Sequence, residues 1–564
     1  MNLGGGSAGS SLAASLSQSK QYSILVLEAG GAPSPIHSLP TIAFTQTNDP
    51  AIDWRYMTVP QKQAAFGLNN NTVRWPTGKV LGGSSQLNAM MYLRGNVQGF
   101  DEVAAKTGDS RWKTANILKY YKGLENYDGW FSKNDHGSGG PINVERPVLS
   151  KFTENIMKAG EELGYRIRDP NENGPYTEGF SKMDLHLHNG RRSDAFHEFL
   201  RPAMQTNRNL IVRKFSRVTR ILINSDSEAY AVEYLRHGRR FIAKANMDII
   251  LSSGGIRSAQ LLLLSGIGPK EHLREHGIRT IMNLPVGQKL KDKYGALVGP
   301  FLVSEGQSTV LDRDWILPDL FRWISTGTGP VRTSLSEGTW AIVTEEARKR
   351  GKVTKPDIHA YVLSISFPEE ARYVLQNTFN FKPETYDFLS RASNMDSFFQ
   401  LVTLNAPDGY GKLRLRDADP LSDPVLDPQY LEHEGDSRAL LEGVKFAVKI
   451  VENTTAMQKI DGRLMPEHFP GCEKFEFKSD QYFECIMRHT TLTAFKYAGA
   501  NPIGKGLSDP DAVVDSHLRV LGIKRLRVVD GSIIQLHHSS MNDVTCRMIG
   551  QFAADIIRDD WKLS

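Results

Sequence analysis

Apolar residues first fall into a helical rhythm between residues 10 and 17, where Leu12, Ala13 and Leu16 share one face. The run Tyr22-Ser-Ile-Leu-Val-Leu-Glu28 follows, short and continuously apolar in the manner of a buried parallel strand. Strand-like and helix-like stretches alternate through residues 1–60 and again from about 195 to 290. In the second block, 209–213, 218–223 and 228–234 read as strands. A short apolar strand at 248–251 runs into Ser252-Ser-Gly-Gly-Ile-Arg-Ser-Ala-Gln260 and the apolar Leu261-Leu-Leu-Leu, a strand, glycine turn and helix. Residues 291–505 have a different texture. A long helical pattern covers 438–451, an isolated strand 411–416, and the Pro-rich stretch 420–428 reads as a linker. Two short apolar strands, 513–520 and 526–531, close the chain.

Two glycine-rich turns carry candidate chemistry. Gly4-Gly5-Gly6-Ser7-Ala8-Gly9 has the spacing Gly-x-Gly-x-x-Gly, with Gly4 for the tight turn, Gly6 for close approach of a pyrophosphate and Gly9 for helix–strand packing. Glu28 ends the second strand nineteen residues beyond Gly9, where an acid accepts hydrogen bonds from a ribose. Only Met1-Asn2-Leu3 precedes the glycines, whereas a buried strand takes about 4–8 apolar residues. The expectation is a chain truncated at its start, with an abbreviated first strand as the alternative. The second turn, Gly78-Lys-Val-Leu-Gly-Gly-Ser-Ser-Gln-Leu-Asn88, makes poor helix and poor strand. Gly82 and Gly83 let backbone approach a flat ligand, and Ser84, Ser85 and Asn88 offer polar contacts to ring edges.

Length and charge narrow the field. At 564 residues the chain is expected to hold two domains, and 40% hydrophobic with 23% charged residues is a globular composition. No run of eighteen apolar residues occurs, so no membrane-spanning helix is expected. A net charge of +5, without a long basic run, gives no support to nucleic-acid binding. Cys472, Cys485 and Cys546 lack metal-site spacing, and no metal is expected. Cys472 and Cys485 flank a short loop that a disulfide would close, and a free pair is equally compatible with the spacing.

With both turns and the returning C-terminal strands, the chain resembles the glucose–methanol–choline (GMC) family of flavin oxidoreductases from Gly4 to Trp561, most closely its arthropod glucose dehydrogenase-like members. The resemblance implies an α/β fold: a discontinuous Rossmann-like FAD-binding domain (1–145, 190–290, 510–564) and an α+β substrate-binding domain (146–189, 291–509). It places Gly4, Gly6, Ser7 and Gly9 at the pyrophosphate, Glu28 at the ribose and Val218 at the adenine. Val80, Asn88 and Met91 fall on the isoalloxazine side, with Asp530 and Gly531 near the pyrophosphate. The histidine that tethers flavin covalently in some members is replaced by Leu87, which implies non-covalent FAD. In the second family signature, Gly255 and Ala259 stand where alanine and proline are usual. The resemblance also favours a bridged Cys472–Cys485 pair and a secreted protein that oxidises small alcohols or sugar-like donors, passing electrons to oxygen or a quinone-like acceptor.

The catalytic positions depart from the family. After Arg488-His-Thr-Thr-Leu-Thr493, Lys496 occupies the place of the base histidine and Tyr497 that of a proline. His489 belongs to the preceding motif and is no substitute. The second position, histidine or asparagine, falls on Met541 with Asn542 adjacent; His537 and His538 read as residues of a polar surface turn. An ordinary lysine, pKa about 10.4, must fall by about 3.4, roughly 4.6 kcal/mol, to be half neutral at pH 7. Burial or a cationic neighbour can supply that. Charged, it cannot be a base, although it would stabilise an alkoxide or a reduced flavin. Two readings follow: an alcohol-oxidising flavoenzyme using Lys496 and Asn542, or a weakened or silent FAD-binding paralogue. A nicotinamide dehydrogenase would share the first glycine turn but not the second.

Overall fold

The computed structural model describes residues 1–174, 177–352, 355–534 and 542–562, without the side chains of Asp312 and Asn542. Five short parallel strands form the first sheet, in the order Leu210–Arg213, Ile24–Leu27, Asn2–Leu3, Ile249–Leu251, Leu526–Val528. Asn2 and Leu3 are thus the central strand, pairing with Val26 and Leu27 on one side and Ile250 and Leu251 on the other. The sheet is stitched from three separate parts of the chain, which is why its strands read as scattered apolar runs. Helix Ser7–Ser17 starts three residues earlier than its apolar rhythm, because Ser7, Ala8 and Gly9 supply no apolar stripe to read. It packs on the C-terminal helix Asn542–Trp561. Gly550 allows that contact, since a Cβ there would lie 2.5 Å from the Ala8 carbonyl oxygen.

An antiparallel sheet of Ser216–Ile223, Ala229–Arg236 and Arg239–Lys244 lies alongside. Its third strand has no apolar alternation to announce it and is largely exposed. The 420–428 stretch is not simply a linker: Val425–Asp427 pairs antiparallel with Lys412–Arg414, so the prolines bracket a strand.

A seven-stranded, antiparallel sheet forms the second layer system. Its path runs Arg463–Leu464, Tyr294–Leu302, Ser397–Leu404, Ile358–Leu363, Ser336–Ile342, Gly179–Lys182, with Thr491–Thr493 also paired to Tyr294–Leu302. Strand Ile358–Leu363 is buried on both faces. Because side chains alternate, Ile358 turns toward helix Glu434–Glu452, where a Cβ on Gly443 would meet it at 2.9 Å. Tyr361 and Leu363 take the opposite face, as does Leu401, the register partner of Tyr361. That face is one wall of the cavity described next. Cys472 and Cys485 are disulfide-bonded. No helix among the described residues is long and apolar enough to cross a membrane.

Candidate active site

A single cavity of about 1780 Å³, mouth included, runs from the first glycine turn to Lys496 between the two sheets. Its first end is made of backbone. Gly4 adopts φ +115°, and a Cβ there would lie 2.4 Å from the Ser252 carbonyl oxygen. Gly83, at φ +58°, has no room for a side chain because a Cβ would sit 2.7 Å from the Gly6 Cα. The two glycine turns therefore touch through their glycines, and the Gly82 amide donates to the Gly5 carbonyl at 2.7 Å. No side chain caps the helix that begins at Ser7, so its first amides stay open toward the cavity, a cradle for an anionic phosphate.

Glu28 is buried and accepts the Gly5 and Gly30 amides, each at 2.8 Å. Burial raises its pKa, opposed by those amides. A carboxylate has about four acceptor sites, and with the Ala29 amide also engaged one remains for a ribose hydroxyl. Val218 lines the cavity beyond it, beside an arrangement the sequence did not announce: the Arg217 and Arg257 guanidinium groups lie 5.0 and 5.4 Å from the Trp54 ring. Asp530 and Gly531 also reach the wall. Asp530 accepts hydrogen bonds from the Ser532 and Gly254 amides at 2.9 and 3.0 Å and from the Ser258 hydroxyl. Its oxygens thus tie the turn at Gly254 to the returning C-terminal strand.

Gly6, Ser7, Asn88 and Met91 line the cavity, with Leu87 presenting an aliphatic side chain among them. Two predicted residues do not. Gly9 is sealed behind Gly4, whose carbonyl oxygen a Cβ would approach to 2.1 Å, so it serves helix packing and not pyrophosphate contact. Val80 is fully buried with Ile52 and Leu87, behind the wall, and its carbonyl accepts the Gly83 amide at 2.8 Å. Asn88 donates to Asp543 at 3.2 Å, and the Ser7 hydroxyl donates to the other oxygen of the same carboxylate. Arg547 ion-pairs with Asp543 at 2.6 Å and also with Glu198. Burial alone would push the Asp543 carboxyl up, but Arg547 more than offsets it and holds the group below the usual range. Asp543 escaped the sequence reading. The signal was there, an acid and an arginine four apart on one helix. Met541, His537 and His538 lie outside the described residues, as does the side chain of Asn542, the first residue of the final helix.

The far end is built from side chains. Lys496 is 3% exposed, and its Nζ donates to the Tyr361 hydroxyl and lies 4.2 Å from the Tyr361 ring centroid. Behind it, Lys293 donates to Asn405 at 2.7 Å, and His359 pairs with Thr339. Burial lowers Lys496 to about 7, partly opposed by Asp292, and pulls Lys293 well below its ordinary value. Asp292 is raised to about 7 by burial, against hydrogen bonds from Tyr430 and Thr493 and the Lys496 amide. Tyr497 stacks on Trp75 at 4.3 Å and donates to the Pro76 carbonyl at 2.6 Å, filling the place of the usual proline with a packed ring. Ordinary beta and loop sequence hides this cluster, since Asp292, Lys293, His359 and Tyr361 follow no motif.

The family model described as GMC oxidoreductase matches residues 1–295 in its N-terminal part and residues 407–550 in its C-terminal part. The chain belongs to the GMC oxidoreductase family. It is 33% identical over 569 residues to glucose dehydrogenase [FAD, quinone] of Drosophila melanogaster, covering 99% of this chain and 86% of that protein. It is 30% identical to the oxygen-dependent choline dehydrogenase of Sinorhizobium fredii, covering 98% and 94%. Among solved structures, formate oxidase superposes with a TM-score of 0.84 at 24% identity, covering 100% of this chain and 98% of that one. The last likeness concerns the fold alone. FAD is the cofactor of this family's chemistry, and the glycine cradle, the open helix N-terminus and Glu28 fit it.

Proposed function

We propose that the protein is an FAD-dependent dehydrogenase or oxidase that removes hydride from the CH–OH group of a small alcohol or sugar-like donor. One observation carries this reading: the continuous cavity that begins at the phosphate cradle ends on Lys496, at the position of the family's base. Bound FAD would supply the hydride acceptor. Gly4, Gly6 and Ser7 would hold its pyrophosphate, Glu28 its ribose, and Asn88, Met91 and Leu87 the redox-active ring. Leu87 has no nucleophilic atom, so the cofactor is held without a covalent bond there. The names of the relatives support an alcohol or sugar-like donor and leave both acceptors in play, oxygen and a quinone-like compound.

In this reading neutral Lys496 accepts the substrate's hydroxyl proton at Nζ while hydride leaves the carbon. With a pKa near 7, both forms of Lys496 are present at neutral pH, and activity rises as the solution becomes alkaline through that value. A second reading, a weakened FAD-binding paralogue, is favoured by the same lysine in its charged form, which takes no proton. Secretion is proposed from the family resemblance and the disulfide. The test is anaerobic exposure of the purified flavoprotein to a panel of alcohols and sugars. Bleaching of the flavin absorbance by at least one donor, faster above neutral pH, is expected; no bleaching at any pH favours the silent paralogue. Acid precipitation should release the flavin into the supernatant. Lys496→His should extend bleaching to more acidic solution.

A further inference from the structure

We infer that the Lys496 end of the cavity is a binding site for a monocarboxylate with an apolar body, which competes there with an alcohol. The inference rests on the reading of this cavity as a flavin and substrate site. Three observations carry it. The first is geometry. Lys496 Nζ and the Tyr361 hydroxyl stand together on the cavity wall, with Leu363 and Leu401 beside Tyr361 on the same sheet and Ala494 and Phe495 just before Lys496 in the chain, all lining the cavity. An ammonium carries three N–H donors, and the bond to Tyr361 uses one. Two remain for the oxygens of one carboxylate, while the apolar wall receives the rest of the ligand.

The second is charge balance. The titratable groups around Lys496 are Asp292 and Lys293, just before one strand, and His359 and Tyr361 from another, while the phenols of Tyr430 and Tyr497 lie near Asp292. Burial pulls Lys293 and His359 well below their ordinary values, toward neutral forms, so Lys496 is the group of this cluster that offers positive charge to the cavity, against one acid, Asp292. Asp292 is already engaged by Tyr430, Thr493 and the Lys496 backbone amide. Among the described residues neither lysine forms an ion pair with a carboxylate: Lys293 donates to the Asn405 carbonyl and Lys496 to a phenol. A ligand anion completes the pairing that the protein omits.

The third is the setting. Away from water an opposite charge interacts far more strongly than at the surface, and a cation buried without a partner is costly. Pairing with an anion keeps Lys496 protonated, so carboxylate binding and proton acceptance draw on opposite forms of the residue. Without a ligand, burial, partly opposed by Asp292, lowers Lys496 to about 7. Carboxylate affinity therefore falls on the alkaline side of that value, where the proposed alcohol oxidation rises.

Benzoate and its neutral isostere benzamide test the site on the purified protein, by calorimetry and by perturbation of the flavin spectrum. At about pH 6 benzoate should bind at least about tenfold more tightly than benzamide, and its affinity should fall about tenfold per pH unit above about 7. Lys496→Met should abolish the preference, Tyr361→Phe should reduce it, and Lys496→Arg should keep it while removing the pH dependence. Equal affinities for benzoate and benzamide at acid pH overturn the inference. So does a preference that survives Lys496→Met. Where that variant does not fold, the isostere comparison and the pH slope of the unaltered protein decide. The flavin and alcohol readings fail separately, by absence of flavin or of bleaching, and the calorimetric comparison is decisive whichever way those fall.

Discussion

The two ends of the cavity are made by different means. At the phosphate end the surface is backbone: Gly83 lies against Gly6, and Gly4 against Ser252, where their own Cβ atoms would collide, and amides provide the polar contacts. At the Lys496 end the surface is side chain: a lysine, a tyrosine and, behind them, a second lysine and a histidine. A backbone site has few chemical alternatives, because only glycine satisfies both the positive φ and the close approach. A side-chain site can change one residue and keep its shape, as Tyr497 does by stacking on Trp75 in place of a proline. The two ends of one cavity are therefore under different constraints: the glycine cradle has a shape that fits a cofactor's phosphates, and the far end has a lysine at its centre.

If the phosphate end depends on absent side chains, adding one methyl group there should have the largest effect of any single change. Gly83→Ala places a Cβ 2.7 Å from the Gly6 Cα at φ +58°, with backbone on both sides and nothing flexible to yield. Flavin content measured by fluorescence after heat release should fall to near zero. As a control, Gly254→Ala at φ +86° meets no atom within 4 Å and should retain most of its flavin, with a loss of only about 1 kcal/mol from backbone strain. Equal flavin content in the two variants would refute the argument that contact between the turns makes the cradle.

Arg547→Ala comes next. It strands Asp543 and Glu198, two carboxylates that are largely shielded from water and that Arg547 pairs at once. Breaking a buried pair from one side costs about 3–5 kcal/mol. A corresponding drop in urea midpoint is expected, and Ser7 and Asn88, both hydrogen-bonded to Asp543, should lose their hold on bound flavin. A midpoint shift without faster flavin release would confine Arg547 to stability.

How much of this was legible beforehand follows the same division. Gly4, Gly6, Glu28 and Asn88 announce themselves because glycine spacing and an acid at a strand end are local patterns, read without knowing the fold. Four of the five parallel strands are legible for the same reason, each lying in a short apolar run, whereas the central one, Asn2–Leu3, is too short to be read from its pattern. The direction of the Val80 side chain was not legible, because a residue beside a glycine turn can face either way, and here it packs with Ile52 and Leu87. Asp543, Trp54 and Tyr361 are contributed by elements far apart in the chain, and nothing local marks them. Asp292 and Lys293 sit in a run of mixed charge, Lys289-Leu-Lys-Asp-Lys293, that resembles a solvated surface, yet both are buried at the end of strand pairing that only the assembled sheet creates. Lys496 was legible as an altered position, but its surroundings were not.

The smallest of the expected effects tests those surroundings. Lys496 has a pKa of 10.5 in an exposed chain and about 7 in the folded one, lowered by burial. Between those values the unfolded chain binds the proton and the folded protein does not, so stability rises with pH across that window. Below about 7 the folded protein carries the full cost of a buried ammonium. Asp292 acts oppositely in the adjoining window: raised from 3.8 to about 7, it lets stability fall as pH climbs between those values. Lys496→Met leaves Asp292 in place and removes only the lysine's contribution. The shift corresponds to at most roughly 5 kcal/mol, and relaxation around a buried charge reduces it. The variant should therefore be about 2–3 kcal/mol more stable than the unaltered protein at acid pH, with the advantage disappearing as pH approaches the ordinary lysine range. Urea midpoints at about pH 6 and about pH 10 measure this. An advantage that is the same at both would mean that the folded and unfolded chains hold the Lys496 proton equally, so that burial does not shift it. Lys496 would then stay charged at neutral pH, and its end of the cavity would offer a cation but no base.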